Sequence, residues 1–173
     1  MLNLSIDLET YSSVPIGKAG LYKYVQSPDF EILLMAYALD GGEPEIIDLA
    51  QCELMPGWLY KAIKSPDYIK HAYNANFEWC CLSKFYGEPL PVEQWRDTML
   101  HGLYCGFTAG LDATGKALGL PAEKQKLAVG KSLIRYFAYL VIRQRRTDSV
   151  RAICLSTIRQ SGIYLKRTAK ATL

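Results

Sequence analysis

The segment Leu4-Ser5-Ile6-Asp7-Leu8-Glu9-Thr10 most constrains what this chain can fold into. It reads as a short apolar strand ending in two carboxylates. Side chains alternate between the faces of a strand, so residues i and i+2 share one. Asp7 and Glu9 therefore project side by side, and Leu8 turns the other way into a core. Like charges held that close repel each other unless a divalent cation joins them. The plain alternative is a strand running into a loop with two solvated acids. Asp-x-Glu alone does not choose between the two.

A second segment adds to the first. Tyr68–Asn74 reads as a strand ending in a turn residue, and Ala75–Tyr86 reads as a helix. Phe77, Cys81 and Phe85 fall at i, i+4 and i+8, which is one helical face. Asn74 suits the N-cap, because its side-chain oxygen can accept a first-turn N–H. Glu78 sits in the first turn, where the helix dipole favours a carboxylate. That dipole role would account for Glu78 without any chemistry.

Together these segments resemble the DEDD-type 3′–5′ exonucleases, which have an RNase H-like fold. Asp7 and Glu9 match that family's first motif; Asn74, Phe77 and Glu78 match the second. Most members carry Asp where this chain has Glu78. Trp95–Leu100, Leu111–Leu120 and Gly130–Phe137 resemble the subgroup found at the N-terminus of phage-type family A DNA polymerases. The resemblance covers Met1 to about Phe137. It implies an α/β domain with an RNase H-like mixed sheet flanked by helices, incomplete at the C-terminus. It also implies hydrolysis of phosphodiesters with two Mg²⁺ or Mn²⁺ ions, bound through Asp7, Glu9 and Glu78. The implied partner is the 3′ end of single-stranded DNA, the product a nucleotide monophosphate. Thr10, Tyr11, Asn74 and Phe77 are the residues expected near the terminal nucleotide, although a loop role suits Thr10 and Tyr11 equally well. Asn74 is expected to orient the strand–helix turn more than to touch a metal.

The family's third motif, a Tyr four residues ahead of an Asp, does not follow. Tyr136, Tyr139 and Tyr164 are followed at that spacing by Leu140, Arg143 and Thr168. The charge changes at the same place. Met1–Phe137 holds 12 Lys and Arg against 16 Asp and Glu, whereas Ala138–Leu173 holds 8 against the single acid Asp148. The net charge of +3 is thus a body of −4 and a tail of +7. Such asymmetry can mark a nucleic-acid-binding arm, but this tail has poor helical periodicity and no interleaved aromatic platform.

A frameshift accounts for the tail better. Back-translated and read one base out of frame, it can end Lys-Ala-Tyr-Cys-Lys-Gly-Asp-Val, which supplies the missing Tyr and Asp. One base lost near the Ala138 codon would produce this. The chain therefore divides into an exonuclease-like domain, 1–137, and a basic, out-of-frame tail, 138–173. A polymerase domain would then be encoded downstream. Two rivals remain: a non-catalytic single-stranded-nucleic-acid-binding remnant, and a stand-alone nuclease using Asp97 or Asp112. Asp97 lies in a segment whose counterpart is structural, and Asp112 is expected to cap a helix.

Composition sets the outer bounds. Half of the 173 residues are hydrophobic and 21% are charged, as in a globular protein of one domain. No stretch is long and apolar enough to cross a bilayer, and the N-terminus lacks a signal-peptide pattern. The expected location is the cytoplasm of a bacterial or phage-infected cell. The five Cys read as free thiols, and adjacent Cys80 and Cys81 do not form a Cys-x-x-Cys zinc knuckle. No phosphate-binding glycine loop is present.

Overall fold

A computed structural model of the chain describes residues 1–107 and 110–119. The third-motif position, Asp148 and the whole 138–173 segment lie outside the described residues.

The first strand, β1 (Leu2–Tyr11), carries the alternation read in the sequence. Leu4, Ile6 and Leu8 are buried, while Ser5, Asp7 and Glu9 between them are half-buried. The next strand, β2 (Glu31–Leu39), is a nearly continuous apolar run and pairs antiparallel with β1. Gly41 turns the chain at φ 71°, which costs glycine little, and β3 (Glu45–Asp48) returns antiparallel to β2. β4 (Tyr68–Ala72) joins the other side of β1 in parallel, and β5 (Trp95–Asp97) joins β4 in parallel. The result is a five-stranded mixed sheet in the order β3-β2-β1-β4-β5, with β1 at its centre.

Helices cover this sheet. α3 (Gly57–Lys64) crosses toward β4 and buries Leu59, Ala62 and Ile63. α4 (Asn76–Tyr86) follows β4 and buries Glu78, Cys81 and Leu82, at i, i+3 and i+4. All of these but Glu78 join Leu4, Ile6, Leu8, Met35, Tyr37 and Trp95 in one core. Full burial of an aliphatic side chain such as Leu59 or Ile63 contributes about 1.5–3 kcal/mol. α5 (Thr98–Tyr104) and α6 (Leu111–Ala117) follow β5. Gly110, not Asp112, occupies the N-cap of α6.

Three elements differ from the sequence reading. The alternation alone reads β1 as about Leu2–Leu8, but the strand runs on, because Thr10 and Tyr11 still pair with β2 across an irregularity that passes over Leu33. The segment after β1 reads as a loop by its glycines, Gly17 and Gly20, yet it contains two short helices, α1 (Ile16–Ala19) and α2 (Leu21–Val25), hinged where Gly20 adopts φ 82°. Phe85, expected on the apolar face of α4, is 45% exposed, and Leu82 is buried in its place. The buried stripe of α4 is therefore rotated, and Glu78 lies within it.

Lys70 of β4 is fully buried. Its Nζ donates to the Ser65 carbonyl at 2.7 Å and to Gln94 Oε1, both neutral acceptors. Burial lowers its pKa to about 8. Between that value and the ordinary 10.5 the unfolded chain binds the extra proton, so folding stability rises with pH across this window. Urea unfolding should therefore show a gain of up to about 3 kcal/mol from Lys70 between pH 8 and pH 10.5. The same titration on Lys70→Met should lack that rise, and an unchanged slope would rule out a buried, depressed lysine.

Candidate functional site

The parallel pairing of β1 with β4 builds the acidic end of the sheet. The paired residues are Leu2–Tyr68, Asn3–Ile69, Leu4–Lys70 and Ser5–His71, and β4 ends one residue later at Ala72. β1 continues for several residues beyond that level, carrying Asp7 and Glu9 past the end of its neighbour. The chain leaving β4 must turn there. Asn74 makes the turn in the left-handed region, at φ 67°, which Asn tolerates better than most residues. α4 then starts beside the overhanging part of β1, with Glu78 in its first turn.

Asn74 is not the N-cap expected from the sequence. Ala75 holds that position, and no side chain caps the helix. The left-handed backbone carries the Asn74 carbonyl to the Phe77 N–H at 2.9 Å, and the Asn74 N–H to Asp97 Oδ1 at 3.0 Å. The side chain of Asn74 is exposed.

Glu78 is the unusual group. It is only 4% exposed, and its Oε2 has no hydrogen-bond partner. Its carboxyl is pushed well above the usual carboxylate range, first by burial and then by the negative charge of Asp7. Its own backbone amide pulls the other way, and Asp97 and Glu9 add smaller repulsions. The structure thus brings the three acids singled out in the sequence within electrostatic reach of one another, and adds Asp97. Among the described residues, no group of three or more His, Cys, Asp or Glu closes tightly enough to hold a metal ion. The two observations agree physically. Charges interact over many ångströms, whereas ligands of one ion must each approach it to about 2.0–2.6 Å. The donor chemistry fits a hard divalent cation: carboxylate oxygens, one of them buried and unpartnered. The spacing is that of an open acidic cluster.

Of the other expected residues, Thr10 and Phe77 are linked through Tyr24. Thr10 Oγ1 and the Tyr24 hydroxyl are 2.8 Å apart, which ties β1 to α2. Burial raises the Tyr24 pKa, the Thr10 hydrogen bond opposes it, and Cys81, Glu9 and Tyr11 raise it further. The Phe77 ring lies 6.4 Å from that of Tyr24. Tyr11 is buried within β1, so it belongs to the sheet and not to a loop. Tyr24 is a residue the sequence reading did not place at the site, and Asp97 entered it only as a ligand in the stand-alone-nuclease rival. The apolar spacing of Leu21, Tyr24 and Val25, i, i+3 and i+4, was the available signal for α2.

No family model matches the chain. It is homologous to the DNA polymerase of Bacillus phage SP02, with 50% identity over 138 residues, 80% of this chain. The chain spans about a fifth of that relative, 21% of its length. The family B DNA polymerase of the hyperthermophilic archaeon Pyrobaculum calidifontis aligns over 98% of this chain and 25% of its own, at 17% identity and a TM-score of 0.48. A likeness of that degree says nothing about function. Among the described residues, no helix is long and apolar enough to cross a membrane.

The state of Glu78 can be tested through stability. Its raised pKa means that the folded chain holds a proton the unfolded chain has released above the ordinary 4.5. Stability from this group is full below that value and is lost as pH rises through the folded pKa. In metal-free buffer, Glu78→Gln should gain on the wild type between pH 4 and pH 8, by about 1–3 kcal/mol. A stability difference that stays constant across that range would mean Glu78 is solvated or paired.

Proposed function

We propose that residues 1–137 form the RNase H-like 3′–5′ exonuclease domain of a phage DNA polymerase, here without its third motif. The observation that carries this reading is the buried, unpartnered Glu78 carboxyl set against the charges of Asp7 and Glu9. A fold gains nothing in stability from such an arrangement, so a ligand is the natural reason for it. Two further observations support it. The sheet is mixed, with β1 central and β2 antiparallel to it, as expected from the resemblance. The homologous protein is a DNA polymerase.

Asp7, Glu9 and Glu78 would hold the metal. Mg²⁺ or Mn²⁺ bound there would supply an activated water and stabilise the leaving 3′ oxygen. Thr10, fixed by Tyr24, and Phe77 form the wall against which the terminal nucleotide of a single strand would rest. Asn74 shapes the turn that delivers Glu78. A second reading, a non-catalytic binder of single-stranded DNA, is favoured by the absence of a closed three-ligand group among the described residues. Both readings give the same expectation for the chain as it stands, namely little catalysis.

Activity separates them. With Mg²⁺ and 3′-labelled single-stranded DNA, this chain should show weak or no trimming. A protein made after one base is restored at the Ala138 codon should trim on the order of 100-fold faster or more, and Asp7→Ala in it should abolish the gain. Rapid Asp7-dependent trimming by the present chain would show that another residue fills the third-motif position. An inactive restored protein that still binds single strands would favour the non-catalytic reading.

A further inference from the structure

Asp97 closes β5 and opens α5, and its side chain does more than cap that helix. Its Oδ1 accepts from the Met99 N–H at 2.9 Å and, more weakly, from the Leu100 N–H at 3.4 Å. The same oxygen accepts from the Asn74 N–H at 3.0 Å, across the sheet from a different connection. Next to it, Thr98 Oγ1 donates to the Ala72 carbonyl at 3.1 Å. Ala72 and Asp97 are paired residues of β4 and β5, so these bonds grip the exit of β4 just before and just after Tyr73. The turn they hold is the left-handed one at Asn74, and Glu78 lies one helical turn further on.

We infer that Asp97 is a positioning residue for the acidic site: it clamps the β4–α4 turn and so fixes where the Glu78 carboxyl stands relative to Asp7 and Glu9. This rests on the metal-dependent reading of the site given above. Asp97 is not itself a metal ligand through Oδ1, because three N–H groups already occupy that oxygen. Its charge is nevertheless felt by Glu78, so the clamp also contributes to the negative potential there. α4 has no side-chain cap of its own, so the grip on Asn74 substitutes for local capping as the anchor of its first turn. Supporting groups of this kind, once removed, typically cost about 10–100-fold in metal affinity.

The experiment titrates Mn²⁺ into the full chain by electron paramagnetic resonance and compares four proteins. Wild type sets the reference. Asp97→Ala removes the clamp and the α5 cap together. Asp97→Asn keeps an acceptor at the Oδ1 position. Asp48→Ala removes an unrelated cap, the one that accepts from the Gln51 N–H at 3.1 Å. Asp97→Ala should bind Mn²⁺ about 10-fold more weakly. Asp97→Asn should recover most of that loss, and Asp48→Ala should match wild type. Amide exchange gives a readout independent of the metal: in Asp97→Ala, Asn74 and Phe77 should exchange about 10-fold faster, while Leu59 and Ile63 of α3 stay protected. Equal Mn²⁺ affinity in wild type and Asp97→Ala, or unchanged exchange at Asn74 and Phe77, overturns the inference. Absence of Mn²⁺ binding by wild type sinks the metal reading itself, which is a separate failure.

Discussion

How far β1 outruns β4 decides the whole acidic end of this domain. The two strands run parallel, so their C-terminal ends point the same way, and pairing reaches only Ser5–His71. Had β4 continued, its backbone would have occupied the edge of β1 at the level of Asp7 and Glu9. It ends instead at Ala72, and the left-handed turn at Asn74 brings in the first turn of a helix at that level. In sheets with parallel strands, the crevice outside the strands' C-terminal ends is where ligands bind. Here four carboxylates come within electrostatic reach at that end: Asp7 and Glu9 by strand alternation, Glu78 by the turn, and Asp97 by the adjoining strand end.

The opposite flank of β1 contributes a different constraint. β2 passes over Leu33 between its partners for Glu9 and Thr10, and the strand pair continues through Tyr11. Irregularities of this kind re-aim side chains near sites. Thr10 is thereby within hydrogen-bonding distance of Tyr24 on α2, and Tyr24 in turn faces Phe77 of α4. β1, α2 and α4 therefore meet through Thr10, Tyr24 and Phe77.

Much of this was legible in the sequence, for a definable reason. The Asp7–Glu9 pair on one strand face and Glu78 in a first helical turn follow from periodicity, which is local. The central strand, β4 and α4 follow from the same alternation and spacing. What escaped was set by other causes. The extent of β1 depends on a partner strand passing over Leu33, which no local pattern in β1 records. β5 has three residues, Trp95–Asp97, too few for a period to show. Asn74 carried the right residue type for an N-cap, but tertiary pairing with Asp97 held it in the turn and left Ala75 as the helix boundary. The rotation of α4 that buries Leu82 and exposes Phe85 reflects which face meets β1, α2 and the core, and a lone helix pattern of Phe77, Cys81 and Phe85 does not encode that.

β4 and the helix after it carry two buried ionisable groups, and the fold treats them in opposite ways. Lys70 is wholly buried, yet Nζ reaches two neutral acceptors, the Ser65 carbonyl and Gln94 Oε1. Its desolvation is partly offset within the fold, and the bonds join the end of α3 to the turn before β5. That is how a structural buried charge is accommodated. Glu78 is nearly as inaccessible, but one of its oxygens has no partner, and against its own backbone hydrogen bond stand burial and the like charges of Asp7, Asp97 and Glu9. Replacing Lys70 removes bonds the fold uses; replacing Glu78 removes a repulsion the fold endures. A buried group whose burial the rest of the structure compensates so little is a candidate for a ligand site. The strand overhang, the left-handed turn and the Asp97 hydrogen bonds all converge on the Glu78 carboxyl, which supports the proposal that this end of the sheet binds a ligand.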